Sequence, residues 1–447
     1  MLFLSIPILL IIKPLLNFKN SFCLILFAGI TILLSSCKQK APDIEWQQSL
    51  GGSLYDAARC IRQTTDSGYI AVGFVNSLDG DVVGNHGASD FWILMLNKHG
   101  EVLRKECFGG DYYDEAAYAT TTPDGGFIVT GHTYSFNGDV QGNHGGSDIW
   151  VMKFDKNGMI EWKKALGGSG HEYSTCIQQH KDGTFLIAGS TDSDDGDVSS
   201  NHGKQDAWLV KLDDRGNIIL QKSIGGILTE YITSIASTRD GGYVLTELIK
   251  SGESDSAGNP LNTDYLIIKL GHDGNPEWKK NYGESRLGFP NSIIQTRDGG
   301  FAIAGGSLSK KENVMDKVIQ YDGWIMKLDD KANLQWQKFY GGLLSEQLNS
   351  ISQTSDGGYI AGGWSNSVDG DGKGNHGLSD FWLIRLNEKG NVKWTKSLGG
   401  SDDDMLSSLQ LTDDGGYILC GQSTSNDGDV KGNHGNEDVW IVKLKAE

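Results

Sequence analysis

Positive charge is in short supply in this chain. Lys and Arg number 39 against 57 Asp and Glu, a formal charge of −18 that becomes −20 once residues 1–36, which carry Lys13 and Lys19 and no acid, are set aside. A surface of that sign repels a phosphate backbone, so nucleic acid is excluded as a partner. Cysteine is also sparse. Beyond residue 37 only Cys60, Cys107, Cys176 and Cys420 remain, with no C-x-x-C pair, which excludes a cysteine-based metal site. No nucleophile elbow, zincin helix or phosphate loop occurs, so no enzyme class that declares itself by a local motif applies. Proline is rare, 7 residues against 61 glycines and 12 tryptophans, a balance that suits many short strands joined by tight glycine turns.

What the chain does contain is a repeat of constant length. Gly-Gly pairs begin at Gly51, Gly109, Gly167, Gly225, Gly341 and Gly399, and Gly283-Glu284 stands where the fifth would fall; each step is 58 residues. An Asp-Gly-Gly turn, Asp-Ser-Gly in the first copy and Asp-Gly-Thr in the third, keeps the same step from Asp66 to Asp414, and another aspartate runs from Asp90 to Asp438. Seven copies at this period fit four-stranded blades of an all-β propeller. The uninterrupted repeat argues for one large closed domain over residues 44–447, and the 38% hydrophobic content is ample for its core.

Period-two patterning places four strands, a to d, in each copy. In the third copy they are Glu172 to His180, Phe185 to Thr191, Ala207 to Leu212 and Ile218 to Ile224. Turns such as Thr122-Pro123-Asp124-Gly125-Gly126 join a to b, with glycine taking the positive φ that closes the hairpin. The chain opens on a spare d strand, Glu45 to Leu50, and ends after the seventh strand c. The N-terminal strand is therefore expected to complete the C-terminal blade, which closes the ring and removes its open sheet edges. Cys60 and Cys176 hold one repeat position two blades apart and are expected not to bridge, leaving four unpaired and mostly buried thiols.

The pattern of Leu166-Gly167-Gly168-Ser169, Asp-Gly-Gly before strand b and Asp206-Ala207-Trp208-Leu209-Val210-Lys211-Leu212 as strand c resembles the bacterial β-propeller repeats abbreviated SBBP and, more distantly, NHL propellers. The resemblance covers nearly all of the repeat region and implies a fold, but no single activity. Before it, Lys13 and Lys19 precede an apolar run from Phe22 to Leu34 that reads as an export signal over residues 1–36. Leu34-Ser35-Ser36-Cys37 resembles the lipobox of bacterial lipoproteins, which implies cleavage before Cys37, acylation there, and a membrane anchor followed by a short tether over 37–43. An uncleaved signal anchor is the alternative. The expected address is the bacterial envelope, at the outer membrane or cell surface, with the protein a monomer.

Candidate chemistry begins in the b-to-c loop. Five copies share an element typified by Asp79 to Gly87, DGDVVGNHG, which the fourth and fifth copies lack. Counting Asp79 as position one puts Asp81 at three and Asp90 at twelve, with Asp195, Asp197 and Asp206 equivalent in the third copy, a partial echo of a calcium-binding loop. Position five is Val83, Gln141, Ser199, Lys373 or Lys431, and a lysine there would oppose a cation. The other reading is that Asp, Asn and Gly fold the loop through side-chain-to-backbone bonds. The loop histidines, His86 to His434, sit singly on separate blades and are expected to be structural. The tryptophans of strand c, Trp92 to Trp440, are expected in the inter-blade core.

Acids opening strand a (Asp56, Asp114, Glu172, Glu230, Glu346 and Asp404) are expected around the channel mouth, either solvated, holding a cation or basic peptide, or bonding the neighbouring Gly-Gly backbone. Departures from the repeat gather in copies four and five, so a ligand site there would use Glu253, Asp255, Arg286, Phe289, Lys310, Lys311 and Tyr321; neutral drift is the alternative. The sequence thus favours a non-catalytic, lipid-anchored propeller that binds protein or glycan. The competing expectation is a polysaccharide hydrolase or lyase that uses the channel-mouth carboxylates, two of which would need a set separation.

Overall fold

Each a-to-b turn is closed by its own residues. In the second blade Gly125 sits at φ +88° and donates to the Thr122 carbonyl at 2.9 Å, while Thr122 donates to Gly126 O at 2.8 Å. The Asp124 carboxylate accepts from the Thr122 hydroxyl and from Gly126 N. The chain reverses tightly and delivers two antiparallel strands, and the same chemistry recurs around the molecule. The structure is a computed structural model that describes residues 40–250, 263–282, 288–308 and 320–447. The export segment, Cys37, Glu253, Asp255, Arg286, Lys310 and Lys311 lie outside the described residues.

Among the described residues, twenty-eight strands form seven four-stranded antiparallel sheets. In the third blade they run Glu172–Gln179, Phe185–Thr191, Asp206–Leu212 and Ile218–Ile224, within a residue of the ends that alternation predicts. Six blades take their strands in chain order, and the seventh pairs Asp404–Leu411, Tyr417–Ser423 and Asp438–Leu444 with Ile44–Leu50. The closing pair is antiparallel with Ser49 opposite Trp440 and Gln47 opposite Val442, and Trp440 Nε1 donates to Gln47 Oε1 at 2.7 Å. The seven-bladed ring expected from the repeat is therefore present, locked by its own N-terminal strand. Docking starts before that strand, because Pro42 is buried, Ala41 packs on the closing blade and Lys445 N donates to Asp43 O at 3.1 Å.

The first strand of every blade touches the first strand of both neighbouring blades, and the sequence of contacts returns to its starting point. Strand a is thus innermost and walls a central channel. The core lies between blades. Trp92, Trp150, Trp208, Trp324, Trp382 and Trp440 are at most 1% exposed, as expected, and several meet an aromatic ring of the next sheet edge-on or tilted, as Trp150 meets Phe91 with centroids 4.8 Å apart. Truncating a ring of this size in a closed core costs about 3–5 kcal/mol. The four cysteines are free and buried, so the thiols behave as small core side chains.

Candidate functional site at the channel

The acids that open strand a face away from solvent. Asp56, Asp114, Glu172, Glu346 and Asp404 are 0% exposed and Glu230 is 5% exposed. Five of them accept a hydrogen bond from the second glycine of the preceding Gly-Gly pair, at 2.7 to 3.0 Å. Asp404 also receives the hydroxyls of Ser423 and Ser425. Burial pushes its carboxyl up to about 6, with those donors opposing the shift. Of the arrangements expected for this ring, the structure has the backbone-bonded one. A carboxylate so enclosed ties one blade to the next and offers nothing to a substrate.

The loop acids are also committed. Asp79 and Asp195 each accept from a backbone N–H of the preceding d-to-a loop, Ser53 and Ser169, at 2.7 Å. Asp81 pairs with Lys105 at 2.8 Å, and Asp197 accepts from Gly167 N at 3.2 Å. Asp90 and Asp206, fully buried, bond His86 and His202 Nδ1 at 2.6 Å. The same pairing joins His144 to Asp148, His376 to Asp380 and His434 to Asp438. Each histidine thereby pins its loop to the residue that starts strand c, a structural task. Among the described residues no three His, Cys, Asp or Glu side chains gather where a metal could sit.

The open chemistry lies on the channel axis. Strand a carries a β-bulge in every blade. A bulge re-aims the extra residue out of the pleat, and all seven bulged residues line a cavity of about 560 Å³. In three blades the bulged side chain is spent on its neighbour: Thr175, Asn291 and Asn349 donate to the carbonyls of Ile232, Leu348 and Leu406 at 2.8, 3.0 and 2.7 Å. The first blade has Arg59 at this position, and Arg62 stands three residues further along the same wall.

Towards the b-to-c loops, one repeat position near the start of strand a pairs across the sheet with one near the end of strand b. The pairs are Ala57 with Phe74, Glu115 with His132, Tyr173 with Ser190, Tyr231 with Leu248, Phe289 with Gly306 and Gln347 with Trp364. Each of these six contains one aromatic ring, and every ring is half-buried. Three of the rings lie on strand a, which encircles the axis, and three on the adjoining strand b, so the six form a crown at the end of the blades that faces the b-to-c loops. Tyr173 lies 5.1 Å from His132, Phe289 lies 5.7 Å from Tyr321, and Lys250 caps Tyr231 at 4.9 Å. Of the residues proposed from copies four and five, Phe289 and Tyr321 are thus brought together in this crown.

Sequence reasoning missed the crown because its aromatics alternate between two repeat columns, and only the strand register merges them. It also missed Glu247. Other blades have glycine there, as at Gly73, where a Cβ would stand 1.9 Å from Ala57 O. The fourth blade substitutes a buried glutamate and pairs it with Leu266 instead of tryptophan. Burial pushes the Glu247 carboxyl up to about 7 against the attraction of Lys279. Comparing the glycine column across copies would have found it.

No family model matches the chain, and no curated protein matches it. Among solved structures it is similar to the WD40 domain of Pan2 from Neurospora crassa, with a TM-score of 0.50 at 9% identity over 90% of this chain and 97% of that one. A protein of unknown function from Bacteroides caccae gives 0.40 at 14% identity, covering 70% of this chain and 92% of the other. The Synechocystis apocarotenoid oxygenase gives 0.39 at 12% identity, covering 92% and 95%. At such identities the likeness speaks for the fold alone.

Proposed function

We propose that the chain is a bacterial envelope lipoprotein of the SBBP repeat type, acting as a monomer at the outer membrane or cell surface, whose propeller is a non-catalytic binding module for protein or glycan. The observation that carries the binding role is the crown of six half-buried aromatic rings at the mouth of a polar channel. Aromatic faces take up sugar rings or apolar side chains with little loss of side-chain freedom. The anchor rests on the apolar run ahead of Leu34-Ser35-Ser36-Cys37. The alternative, a polysaccharide hydrolase or lyase, needs two carboxylates facing substrate about 5–9.5 Å apart. The strand-a acids point instead at backbone amides.

Two measurements test this reading. Cys37→Ala should move the protein from the membrane fraction to the soluble fraction; unchanged membrane retention removes the lipid anchor. On a glycan array run beside a product-release assay, the wild-type protein should bind without turnover, and Trp364→Ala or Tyr173→Ala should weaken binding at least tenfold. Release of product, or binding indifferent to both substitutions, overturns the binding-module reading.

A further inference from the structure

The channel carries charge of the sign the rest of the molecule lacks. In a chain of net charge −18, its cavity is lined by Arg59 and Arg62 and, among the described residues, by no aspartate or glutamate. Most of the remaining wall is hydroxyl and amide, as at Gln178, Ser292 and Ser352, with apolar residues such as Ile235, Ile293 and Leu409 between them. Arg62 is held in place without being neutralised. Its guanidinium lies over the Tyr118 ring at 4.5 Å, and Nη1 donates to Ile61 O at 2.7 Å and to Ser408 Oγ at 3.3 Å. Those contacts, with a further hydrogen bond to the Tyr118 hydroxyl, fix the plane of the group without supplying a counter-charge, and a guanidinium held this way can grip a carboxylate with two parallel hydrogen bonds. No carboxylate lies within ion-pair distance of it among the described residues.

Arg59 stands nearer the entrance, its guanidinium 5.1 Å from the centroid of Phe74 in the crown. Glu115 and Glu437 feel its charge: burial raises both carboxyls and Arg59 opposes that rise. The positive field at the mouth is therefore partly answered, whereas that around Arg62 is not. A cation withdrawn from bulk water with no counter-charge is costly to keep, and its cost is offset when an anion arrives. One fixed fork suits a single planar monoanion better than a phosphate dianion. The hydroxyl and amide wall, with aromatic rings at the entrance, suits a polyhydroxylated ring better than a peptide.

The geometry points to the channel as a receptor for the carboxylate of a uronate sugar, with the Arg62 fork pairing the carboxylate, Arg59 drawing it in and the crown stacking on the sugar ring or on the residue that follows. This rests on the binding-module reading and narrows it to acidic glycans. The assay is titration calorimetry on the full-length protein in detergent, with galacturonic acid, its neutral methyl ester, trigalacturonate, neutral trigalactose and triglutamate as probes. Galacturonic acid and trigalacturonate should bind at least tenfold more tightly than the methyl ester, and added salt should narrow that preference. Their ratio separates a free monosaccharide ligand from the end of a chain.

Arg62→Gln should abolish the preference for the acid, and Arg62→Lys should keep part of it. Thermal unfolding of both variants, matched to wild type, shows that the fold is intact. Equal binding of acid and ester, uronate binding indifferent to Arg62→Gln, or no uronate binding at all overturns the inference, as does triglutamate binding where uronates do not. Trigalactose binding that is lost in Trp364→Ala but untouched by Arg62→Gln would overturn the uronate site and leave the binding module standing.

Discussion

The interfaces between blades and the wall of the channel obey opposite rules. At the interfaces the same device recurs from blade to blade: the acid that opens strand a accepts from the second glycine of the linker arriving from the previous blade, at 2.7 to 3.0 Å in five copies. Within a blade, strand c likewise brings a buried cation against that blade's own turn aspartate, as with Lys269 and Asp240 at 2.9 Å, Lys327 and Asp298 at 2.9 Å, Arg385 and Asp356 at 3.0 Å and Lys443 and Asp414 at 2.9 Å. On the channel wall the seven bulged positions read Arg59, Ala117, Thr175, Thr233, Asn291, Asn349 and Ser407. Every blade meets the same packing demand from its neighbours, so residues that answer it stay alike. A position free to be arginine in one blade and alanine in the next answers no such shared demand, and specificity can be written there.

The sharpest way to break this contrast uses two residues three apart on one strand. Asp404 holds Gly400 N, Ser423 Oγ and Ser425 Oγ in a site with no solvent access. Asp404→Ala orphans three buried donors and should cost about 3 kcal/mol or more, read as a fall in the denaturant midpoint. Ser407→Ala, at the bulge, should move that midpoint by less than about 0.5 kcal/mol equivalent. Comparable losses at the two sites would show that wall and interface are not distinct.

A second prediction concerns pH, because the titrating groups are concentrated at the interfaces. Burial raises Asp90 and Asp148 to about 6, with the paired histidines opposing the rise. An aspartate at about 6 when folded and about 3.9 when unfolded holds more protons in the native state between those values. Stability from these groups therefore falls as pH rises through that window. His144 adds to the trend: burial lowers its pKa, but Asp148 leaves it raised overall, so its contribution is present below the unfolded value and lost as pH climbs through the folded one. The turn acids work in the other direction. Burial acts against Asp240, yet the Thr238 hydroxyl and Lys269 hold it at about 2, so its contribution is present above the unfolded carboxylate range and lost in strong acid. Melting scans should thus find the protein most stable near pH 4, with Tm falling by a few degrees towards pH 7.5. A Tm that rises over that interval would contradict the buried-aspartate account.

How much could be seen in advance follows from the same division. The constant step from Gly51 to Gly399 and the spare strand at Ile44–Leu50 were enough to read blade count, strand order and ring closure, because every blade repeats one solution to one packing problem. The buried tryptophans were legible for the same reason. The crown was not, since Phe74 and Tyr173 lie in different columns and share a place only once the cross-strand register is known. Arg59 looks like a surface residue by alternation, and only the bulge between Ala58 and Cys60 turns it inward. For the strand-a acids the sequence left solvation, ligand holding and a bond to the Gly-Gly backbone all open, because sequence gives no depth; only the structure selects the backbone bond.

A gain of stability, smaller than the loss at Asp404, is predicted at the one a-to-b turn that departs from the glycine rule. Ser67 sits at φ 67°, where the other six blades have glycine at φ 83° to 89°. The turn is otherwise ordinary, with Ser67 N donating to Thr64 O at 3.0 Å and Thr64 N to Gly68 O at 2.9 Å, so the substitution Ser67→Gly removes no backbone bond. A left-handed conformation costs a side-chain-bearing residue about 1–2 kcal/mol, and glycine gives back part of that through the greater freedom of its unfolded chain. The net expectation is a gain of about 0.5–1 kcal/mol in the denaturant midpoint with ligand binding unchanged. A loss of stability would mean that the Ser67 side chain does work in the turn that its geometry does not disclose, and the claim that interface positions are governed by folding alone would fail at the first blade.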